Sequence, residues 1–377
     1  MDLDPTPEQE LIRDTVRAFA RDRVAPVAEE LDRESRFPVE LVREMAELGL
    51  MGIPIPERFG GAGGDTVSYA IAIEELTRVD SSVAITVAAH TSLGTMPIFL
   101  FGSDEQQDRW LPDLASGRRL AAFGLTEPDA GSDAGASRTT AELRDGCWVV
   151  NGSKMFITNA GTELTWGVTI TARTGDDEIS NVVVENGTAG YGISEPLHKL
   201  GWKASDTREL TFSDCAVPEG NLLGPRGKGF HQFLEILDGG RISVAAMGVG
   251  LAQGAYDLAF AYAQERHQFG KPIARFQTVA FRLADMAVEI EAGRQLVYRA
   301  AWLKDQGRAF ALEAAMAKLY TGELSHRVVN AALQIHGGYG FMDEFPISRL
   351  YRDQKILEIG EGTNEVQRMV IARLLGL

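Results

Sequence analysis

Cysteine and positive charge are both scarce in this chain. Its 377 residues include 2 cysteines, and 37 Lys and Arg stand against 53 Asp and Glu, a formal net charge of −16. Cys147 and Cys215 alone cannot form a disulfide framework, so a reducing compartment is the simpler prediction. An acidic protein is repelled by nucleic-acid backbones and anionic membranes, which argues against both as main partners.

Targeting signals and long apolar runs are equally sparse. The first residues lack a basic segment followed by an apolar one, so we predict no signal peptide and expect a bacterial cytoplasmic protein. One stretch, residues 83–101, is apolar enough to span a bilayer, but it contains His90, Gly94 and Pro97. We predict that it is a helix buried in a soluble core, with no membrane as partner.

Several motifs of common enzyme classes are absent. The sequence has no P-loop, His-Glu-x-x-His, paired Cys-x-x-Cys or Gly-x-Ser-x-Gly. Metalloprotease, zinc-ribbon and α/β-hydrolase chemistry therefore lose support, and we predict no metal site. Gly248, Gly250 and Gly254 nearly reproduce a dinucleotide fingerprint, but the spacing is one residue too long and no strand precedes it. Close helix packing is the better interpretation.

The first 118 residues show helical periodicity between strong boundary signals. Thr6 with Gln9 and Ser103 with Gln106 have the pattern of capping boxes. Apolar residues then recur at helical spacing. This part of the chain is predicted to be entirely α-helical.

The remaining chain changes character twice. Between residues 119 and 226, short β-branched and aromatic runs predict an antiparallel sheet or barrel, with Asn151-Gly152 as a hairpin turn. Two long periodic segments, 276–305 and 312–335, predict a helical bundle in the last part. We therefore expect an α+β protein of three domains, with bounds 1–118, 119–226 and 227–377.

Three loop segments have compositions that suit binding or catalysis. In residues 125–133, glycine and hydroxyl side chains can bring backbone N–H groups against a polar ligand, although an ordinary turn has the same composition. Arg266 precedes a Gly-Lys-Pro turn that could bind an anion or merely join two helices. Glu361 stands between Gly360 and Gly362, so it can approach a substrate closely, as a base that removes a proton from carbon must. A solvated turn glutamate is the alternative.

Together these segments resemble the acyl-CoA dehydrogenase family, in its short- and medium-chain branch, over essentially the whole chain. The resemblance is carried, in order, by Thr126-Glu127-Pro128 with Gly131-Ser132-Asp133, Phe156–Asn159, Gly201–Thr207, Arg266–Ile273, Gln334–Gly338 and Glu361–Gln367. The family's fold has an N-terminal helical domain, a middle β domain and a C-terminal four-helix bundle. Phe156 replaces a tryptophan of many relatives, which keeps an aromatic face for a flavin. Gly360 replaces a tyrosine, which leaves the acyl-chain preference open.

The resemblance implies FAD as the cofactor. It implies a wall around the flavin ring made by Phe123, Gly124, Leu125, Thr126, Gly131, Ser132, Phe156, Ile157 and Thr158. It implies that the FAD of a neighbouring subunit is held by Arg266, Gln277, Gln334, Ile335, His336, Gly337 and Gly338. The FAD beside Glu361 would be held by Thr363, Asn364 and Glu365. Sharing of FAD between subunits implies a homotetramer, built in this family as a dimer of dimers.

The same resemblance implies an acyl-CoA substrate and a catalytic base. Substrate contacts are expected from Ser132, Asp238, Gly239, Gly240, Arg241 and Gly362, with Asp238 to Arg241 opening a C-terminal helix. Glu361 matches the family's base, and Gly240 occupies the position that carries it in some relatives. Glu361 would remove the pro-R α-proton while the β-hydrogen leaves as hydride to the flavin, giving a trans-2-enoyl-CoA. Electrons would pass to an electron-transferring flavoprotein.

Two other functions stay open on the sequence. A flavin oxidase or monooxygenase of the same fold would let O2 reach the reduced flavin. A noncatalytic flavoprotein that binds nucleic acid is a third possibility, against which the presence of Glu361 and the charge of −16 both count. The sequence does not select among short, medium, branched or carrier-linked acyl groups.

Overall fold

The computed structural model describes residues 4–377, and the first part of this range is helical. Its helices are α1 Pro7–Phe19, α2 Ala28–Glu34, α3 Val39–Glu47, α4 Thr66–Thr77, α5 Ser81–Ala88, α6 Met96–Phe101 and α7 Asp104–Ala115. Both predicted capping boxes are present. The hydroxyl oxygens of Thr6 and Ser103 accept the backbone N–H groups of Gln9 and Gln106, each at 3.2 Å.

A π-helical segment, Ala89–Thr95, joins α5 to α6 and contains a buried histidine. Nδ1 of His90 accepts the N–H of Ala121 at 3.0 Å, and Nε2 donates to the carbonyl of Leu114 at 2.9 Å. Burial lowers the pKa of His90 to about 4, so the ring stays neutral and ties the helices to the first strand.

Two helical stretches, Ser81–Phe101 and Gly229–Glu265, are long and apolar enough to cross a membrane. Most of each is buried inside the protein. This pattern is typical of core helices, and the buried helix predicted near residues 83–101 is confirmed.

The middle of the chain forms a sheet that is mixed rather than wholly antiparallel. Its strands are β1 Leu120–Gly124, β2 Thr140–Arg144, β3 Cys147–Thr158, β4 Thr165–Gly175, β5 Glu178–Glu185, β6 Tyr191–Ile193, β7 Thr207–Pro218 and β8 Leu222–Leu223. They lie in the order β6-β7-β3-β2-β4-β5-β8, with β1 added beside β4. Strands β1 and β2 run parallel to β4, and the other described pairs are antiparallel. Each parallel pair is separated along the chain by intervening structure, as parallel pairing requires.

The predicted hairpin at Asn151-Gly152 is wrong, because both residues lie inside the continuous strand β3. A Cβ on Gly152 would lie 2.6 Å from Oγ1 of Thr139, so glycine is needed there for close strand contact. The turn lies earlier, at Asp145-Gly146 between β2 and β3, where both residues have positive φ. Asp-Gly is as strong a hairpin signal as Asn-Gly.

The last part of the chain is a bundle of long helices. They are α8 Gly229–Glu265, α9 Gln277–Asp305, α10 Ala311–His336, α11 Pro346–Asp353 and α12 Asn364–Leu374, with a short ribbon of β9 His267–Gln268 and β10 Lys271–Pro272 between α8 and α9. Helices α8, α9 and α10 pack pairwise and α12 packs on α10. The two long helices predicted from periodicity are confirmed. The expectation that Asp238 opens a helix is wrong, because α8 begins at Gly229, where its first turns cover the sheet.

The glycines of α8 serve helix packing, as predicted. A Cβ on Gly250 would lie 2.3 Å from the carbonyl oxygen of Glu74, and one on Gly254 would lie 2.1 Å from that of Arg78. These positions therefore let α8 approach the end of α4 at backbone distance. The contact joins the first and last parts of the chain.

Candidate active site

Glu361 lies on a tight turn between two packed helices. The chain leaves α11 through a 3-10 turn, Gln354–Glu358, and enters α12 after Thr363, whose hydroxyl accepts the N–H of Val366 at 3.2 Å. Glu361 and Gly362 both have left-handed backbones, with φ of 52° and 91°. A non-glycine residue rarely adopts this conformation, and such strain is concentrated at functional sites.

The carboxylate of Glu361 is directed into the protein, against helix α8. Its Oε2 atom is buried and has no hydrogen-bond partner among the described residues. A Cβ on Gly240 would lie 2.2 Å from this oxygen, so glycine leaves the space that the carboxylate occupies. Burial raises the pKa of Glu361 to about 7, and the charges of Lys318 and Arg241 oppose that rise. A general base works best when its pKa is close to the operating pH.

Two buried cations flank this carboxylate. Lys318 is on α10, and its Nζ donates to the carbonyl oxygen of Gly362 at 2.7 Å. Arg241 is on α8 and forms a short ion pair with Asp238. Burial lowers the pKa of Lys318 to about 8 and also lowers that of Arg241. Lys318 belongs to no motif of the sequence, and the signal that could have identified it is a lone lysine among alanines on a predicted bundle helix.

Tyr69 and Leu93 approach the same place from the N-terminal helices, and both were missed by sequence reasoning. The hydroxyl of Tyr69, on α4, donates to the carbonyl of Ala88 at 3.1 Å. Burial is the main cause of the raised pKa of Tyr69, and the Glu361 charge adds to it. A side-chain carbon of Leu93 lies 3.5 Å from a Cβ built on Gly240. An aromatic ring and an aliphatic side chain therefore lie near the base.

The structure brings together the two predicted flavin-wall segments at one edge of the sheet. The N–H of Met155 donates to the carbonyl of Thr126 at 2.8 Å. The buried Nζ of Lys154 binds Glu127 at 2.7 Å and the carbonyl of Leu125 at 3.2 Å. An ion pair thus ties the end of β3 to the loop that follows β1.

This edge is open on one side and carries an exposed aromatic ring. Phe156 is 65% exposed and has a φ of 63°, and a Cβ on Gly131 would meet no atom within 4 Å. Ser132 is exposed and Thr126 and Thr158 are partly so, whereas Ile157 is buried in the sheet core. Phe123 stacks on Phe233 of α8, with ring centroids 6.5 Å apart. An open edge with an aromatic face and hydroxyls fits a flat, polar-edged ring such as a flavin.

A second predicted group lines a separate cavity of about 490 Å³ between α8 and the end of α10. Arg266, Ile335, His336, Gly337 and Gly338 belong to its lining, whereas Gln277 and Gln334 are exposed but are not part of it. The Arg266 guanidinium lies over the Tyr339 ring at 5.6 Å. No acidic side chain is among the described residues that line the cavity, so the Arg266 guanidinium is left for an anionic ligand.

The remaining predicted residues surround the Glu361 turn. Asn364 is buried, with an Oδ1 that has no partner in the described chain, and Glu365 is exposed in the first turn of α12. Asp238 and Gly239 directly precede Gly240, the α8 residue against which the carboxylate lies. The structure therefore contains two clusters, one around Glu361 and the sheet edge and one around Arg266.

These features define a class: an α+β protein of helical, sheet and helical parts that contains a buried carboxylate on a strained turn and an exposed aromatic ring at the sheet edge. Family models match the chain in three consecutive pieces. They are the acyl-CoA dehydrogenase N-terminal domain at residues 6–118, the middle domain at 122–215 and the C-terminal domain at 227–376. The chain belongs to the acyl-CoA dehydrogenase family, which confirms the resemblance found in the sequence.

Individual relatives agree over the full length. A probable acyl-CoA dehydrogenase of Bacillus subtilis is 50% identical, with 100% of both chains covered. A short-chain specific acyl-CoA dehydrogenase of Clostridium acetobutylicum is 46% identical, with 99% of both covered. The chain is an acyl-CoA dehydrogenase, an oxidoreductase that acts on acyl-CoA.

Solved structures support the fold and the cofactor. Butyryl-CoA dehydrogenase from Megasphaera elsdenii is 42% identical with a TM-score of 0.97, and 100% of both chains is covered. A chain from the structure of the electron transferring flavoprotein of Acidaminococcus fermentans is 44% identical with a TM-score of 0.97, covering 100% and 99%. An acyl-CoA dehydrogenase complexed with FAD from Bacillus anthracis is 37% identical with a TM-score of 0.94, covering 99% of this chain and 67% of that one. FAD is therefore the cofactor of this chain.

Proposed function

We propose that the protein converts a short-chain acyl-CoA into the trans-2-enoyl-CoA, with Glu361 as the base that removes the pro-R α-proton. The observation that carries this proposal is the Glu361 carboxylate, which is withdrawn from water and has a pKa raised to about 7. A thioester α-proton is a weak acid, so its base must be close, desolvated and only partly protonated at neutral pH. The short-chain part is supported by the relatives, since those from Clostridium acetobutylicum and Megasphaera elsdenii are described as short-chain specific.

The α-carbanion that develops needs stabilisation at the thioester oxygen. The backbone N–H of Glu361 is the donor that this chain would offer there, in the manner of an oxyanion hole. When FAD is bound, it supplies the acceptor for the β-hydrogen. Ser132, Asp238, Gly239, Gly240, Arg241 and Gly362 are proposed to contact the acyl-CoA.

Each FAD is proposed to contact two groups of residues, one from each of two subunits. Phe123 to Thr126, Gly131, Ser132 and Phe156 to Thr158 would contact the flavin ring, and Thr363 to Glu365 would hold the same molecule beside the base. Arg266, Gln277 and Gln334 to Gly338 would hold the FAD of another subunit. Exposed Phe269 and Phe341 close to the Arg266 cavity support burial of this surface in a homotetramer.

The electron acceptor is proposed to be an electron-transferring flavoprotein in the cytoplasm. The similarity to a chain in a structure named for such a flavoprotein supports the acceptor. Two cysteines without a disulfide are compatible with a reducing compartment.

Anaerobic bleaching of the flavin by a series of acyl-CoAs tests the proposal. Purified protein should be yellow, with about one FAD per chain, and butyryl-CoA should reduce it faster than longer or branched acyl-CoAs. Air and an electron-transferring flavoprotein are then compared as oxidants of the reduced protein. Fast reoxidation by air alone would favour the oxidase alternative, and absence of bleaching by every acyl-CoA would refute the proposed reaction.

A further inference from the structure

Lys318 lies next to the turn that carries Glu361. Its side chain is fully buried in the middle of α10, where the neighbouring buried residues Ala315, Ala317 and Thr321 are small. The hydrogen bond from Nζ to the carbonyl of Gly362, 2.7 Å long, is its direct contact with the turn. Burying a lysine is costly unless its ammonium group is bound, so this contact offsets a desolvation cost.

Gln367 holds the same turn from the other side. Its Nε2 donates to the carbonyl oxygen of Gly362 at 3.0 Å and to that of Glu361 at 3.3 Å. Two donors, one charged and one neutral, therefore converge on a single carbonyl group. They restrain a turn in which two successive residues have left-handed backbones, a conformation that is strained for the non-glycine residue Glu361.

The charge of Lys318 also acts on the Glu361 carboxylate. Of the two cations that lower the pKa of Glu361, Lys318 has the larger effect. Arg241 is also paired with Asp238. Other charged or titratable groups reach this pair from each packed element, namely Tyr69 on α4, Asp238 and Arg241 on α8, Glu358 after α11, and Glu365 and Arg373 on α12. Lys318 is thus both the mechanical support and the main counter-charge of the base.

We propose that Lys318 is a positioning residue for proton abstraction: it holds the Gly362 carbonyl, and through it the Glu361 turn, and supplies a positive charge near the Glu361 carboxylate. The proposal depends on the proposed role of Glu361 as the base. Its two components, a hydrogen bond and a charge, can be separated because Gln367 supplies only the first.

The experiment measures anaerobic flavin reduction by butyryl-CoA as a function of pH in four FAD-loaded variants. Lys318→Met removes the donor and the charge, Lys318→Gln keeps a donor without the charge, and Gln367→Leu removes the neutral donor. Lys355→Met, an exposed lysine of the preceding 3-10 turn, is the control and should behave like the parent protein. FAD content and Tm confirm that each variant is folded.

We expect the rising limb of the pH profile to move upward by about one pH unit or more in both Lys318→Met and Lys318→Gln. We expect Gln367→Leu to lower the limiting rate roughly tenfold without moving the limb, because a slightly misplaced base costs rate and not ionisation. Lys318→Met should show both effects. If it fails to fold, Lys318→Gln still tests the charge.

If the rising limb of the pH profile of folded, FAD-loaded Lys318→Gln lies at the same pH as in the parent protein, the proposal is wrong. Glu361→Gln distinguishes this outcome from failure of the proposed function. If Glu361→Gln is inactive while the Lys318 variants resemble the parent protein, only the role of Lys318 is wrong. If Glu361→Gln is reduced normally, the base itself is misassigned.

Discussion

At the scale of single residues, the site depends on a carboxylate that is withdrawn from water and still able to ionise. Burial alone would neutralise Glu361 at neutral pH, and a strong ion pair would lower its basicity. The structure places two cations near the carboxylate, but neither forms an ion pair with it within the described residues. The result is a pKa of about 7, which suits a base that must accept a proton from carbon.

Replacing the base should abolish the chemistry and leave the protein intact. Glu361→Gln keeps the volume of the side chain but cannot accept the proton, so flavin reduction should slow by at least ~10²-fold. FAD content should be unchanged. Stopped-flow reduction by butyryl-CoA measures the effect.

Glu358→Gln is the matched control for that variant. Glu358 ends the 3-10 turn three residues earlier and pairs with Lys355 at the surface, so we expect near-normal reduction. Comparable losses in both variants would indicate damage to the segment rather than loss of a base.

The raised pKa of Glu361 also predicts a linkage between pH and stability. The folded protein retains the Glu361 proton up to about pH 7, whereas an unfolded glutamate loses it near its ordinary pKa of about 4.3. Stability from this group is therefore lost as pH rises from about 4 to about 7. Glu361→Gln has no such penalty, so its Tm relative to the parent protein should rise between about pH 4 and about pH 7 and level off above that. A Tm difference that does not change with pH would contradict the assigned burial.

At the scale of elements, the sequence signals that predicted the structure correctly are those that depend on residues close together in the chain. Capping boxes at Thr6 and Ser103 and the periodicity of α9 and α10 predicted those helices, because short-range bonds and one buried face determine them. The predicted hairpin at Asn151-Gly152 is wrong because Asn151 pairs with Thr140 at the start of β2, and Gly152 packs closely against Thr139 just before it. Glu361 could be identified from its flanking glycines, whereas Lys318 and Tyr69 reach it only through the packing of α10 and α4.

The buried ion pair of Lys154 and Glu127 joins β3 to the loop after β1, at the sheet edge predicted to contact the flavin. Glu127 also accepts the backbone N–H groups of Arg138 and Thr139, at 2.6 and 3.1 Å, so the pair fixes the loop on both sides. Lys154→Met leaves a buried carboxylate without its cation, which should cost about 3–5 kcal/mol of unfolding free energy. FAD should dissociate more readily. Urea unfolding and flavin retention on gel filtration measure the two effects.

Arg43→Met provides the comparison, because Arg43 and Glu163 form an ion pair of the same 2.7 Å length on the surface. Exposed pairs contribute about 0–1 kcal/mol. Equal destabilisation by the two variants would mean that the Lys154 pair has no special role in the loop.

At the scale of the whole molecule, we propose that one chain supplies two halves of different cofactor sites. The Glu361 turn and the sheet edge would form the first half, and the Arg266 cavity, which has no acidic side chain among its described lining residues, would form the second. Many of the predicted cofactor residues in both clusters are exposed, including Phe156 and Arg266. A surface of this kind makes sense if a neighbouring chain covers it, which is why assembly and FAD binding should be coupled.

Arg266→Ala tests that coupling. The guanidinium faces a cavity of about 490 Å³ without an acidic side chain in its lining, so it is available for the pyrophosphate of a neighbour's FAD. A charge-assisted contact of this type contributes roughly 1.5–3 kcal/mol, so FAD affinity should fall about ten- to hundredfold, with weaker subunit association.

Arg275→Ala, an exposed arginine of the same loop outside the cavity lining, is the control. Sedimentation velocity with and without added FAD reads out both effects at once, because added FAD should restore the assembly of Arg266→Ala. A parent protein that is monomeric at micromolar concentration and still retains FAD would show that each chain holds its cofactor alone.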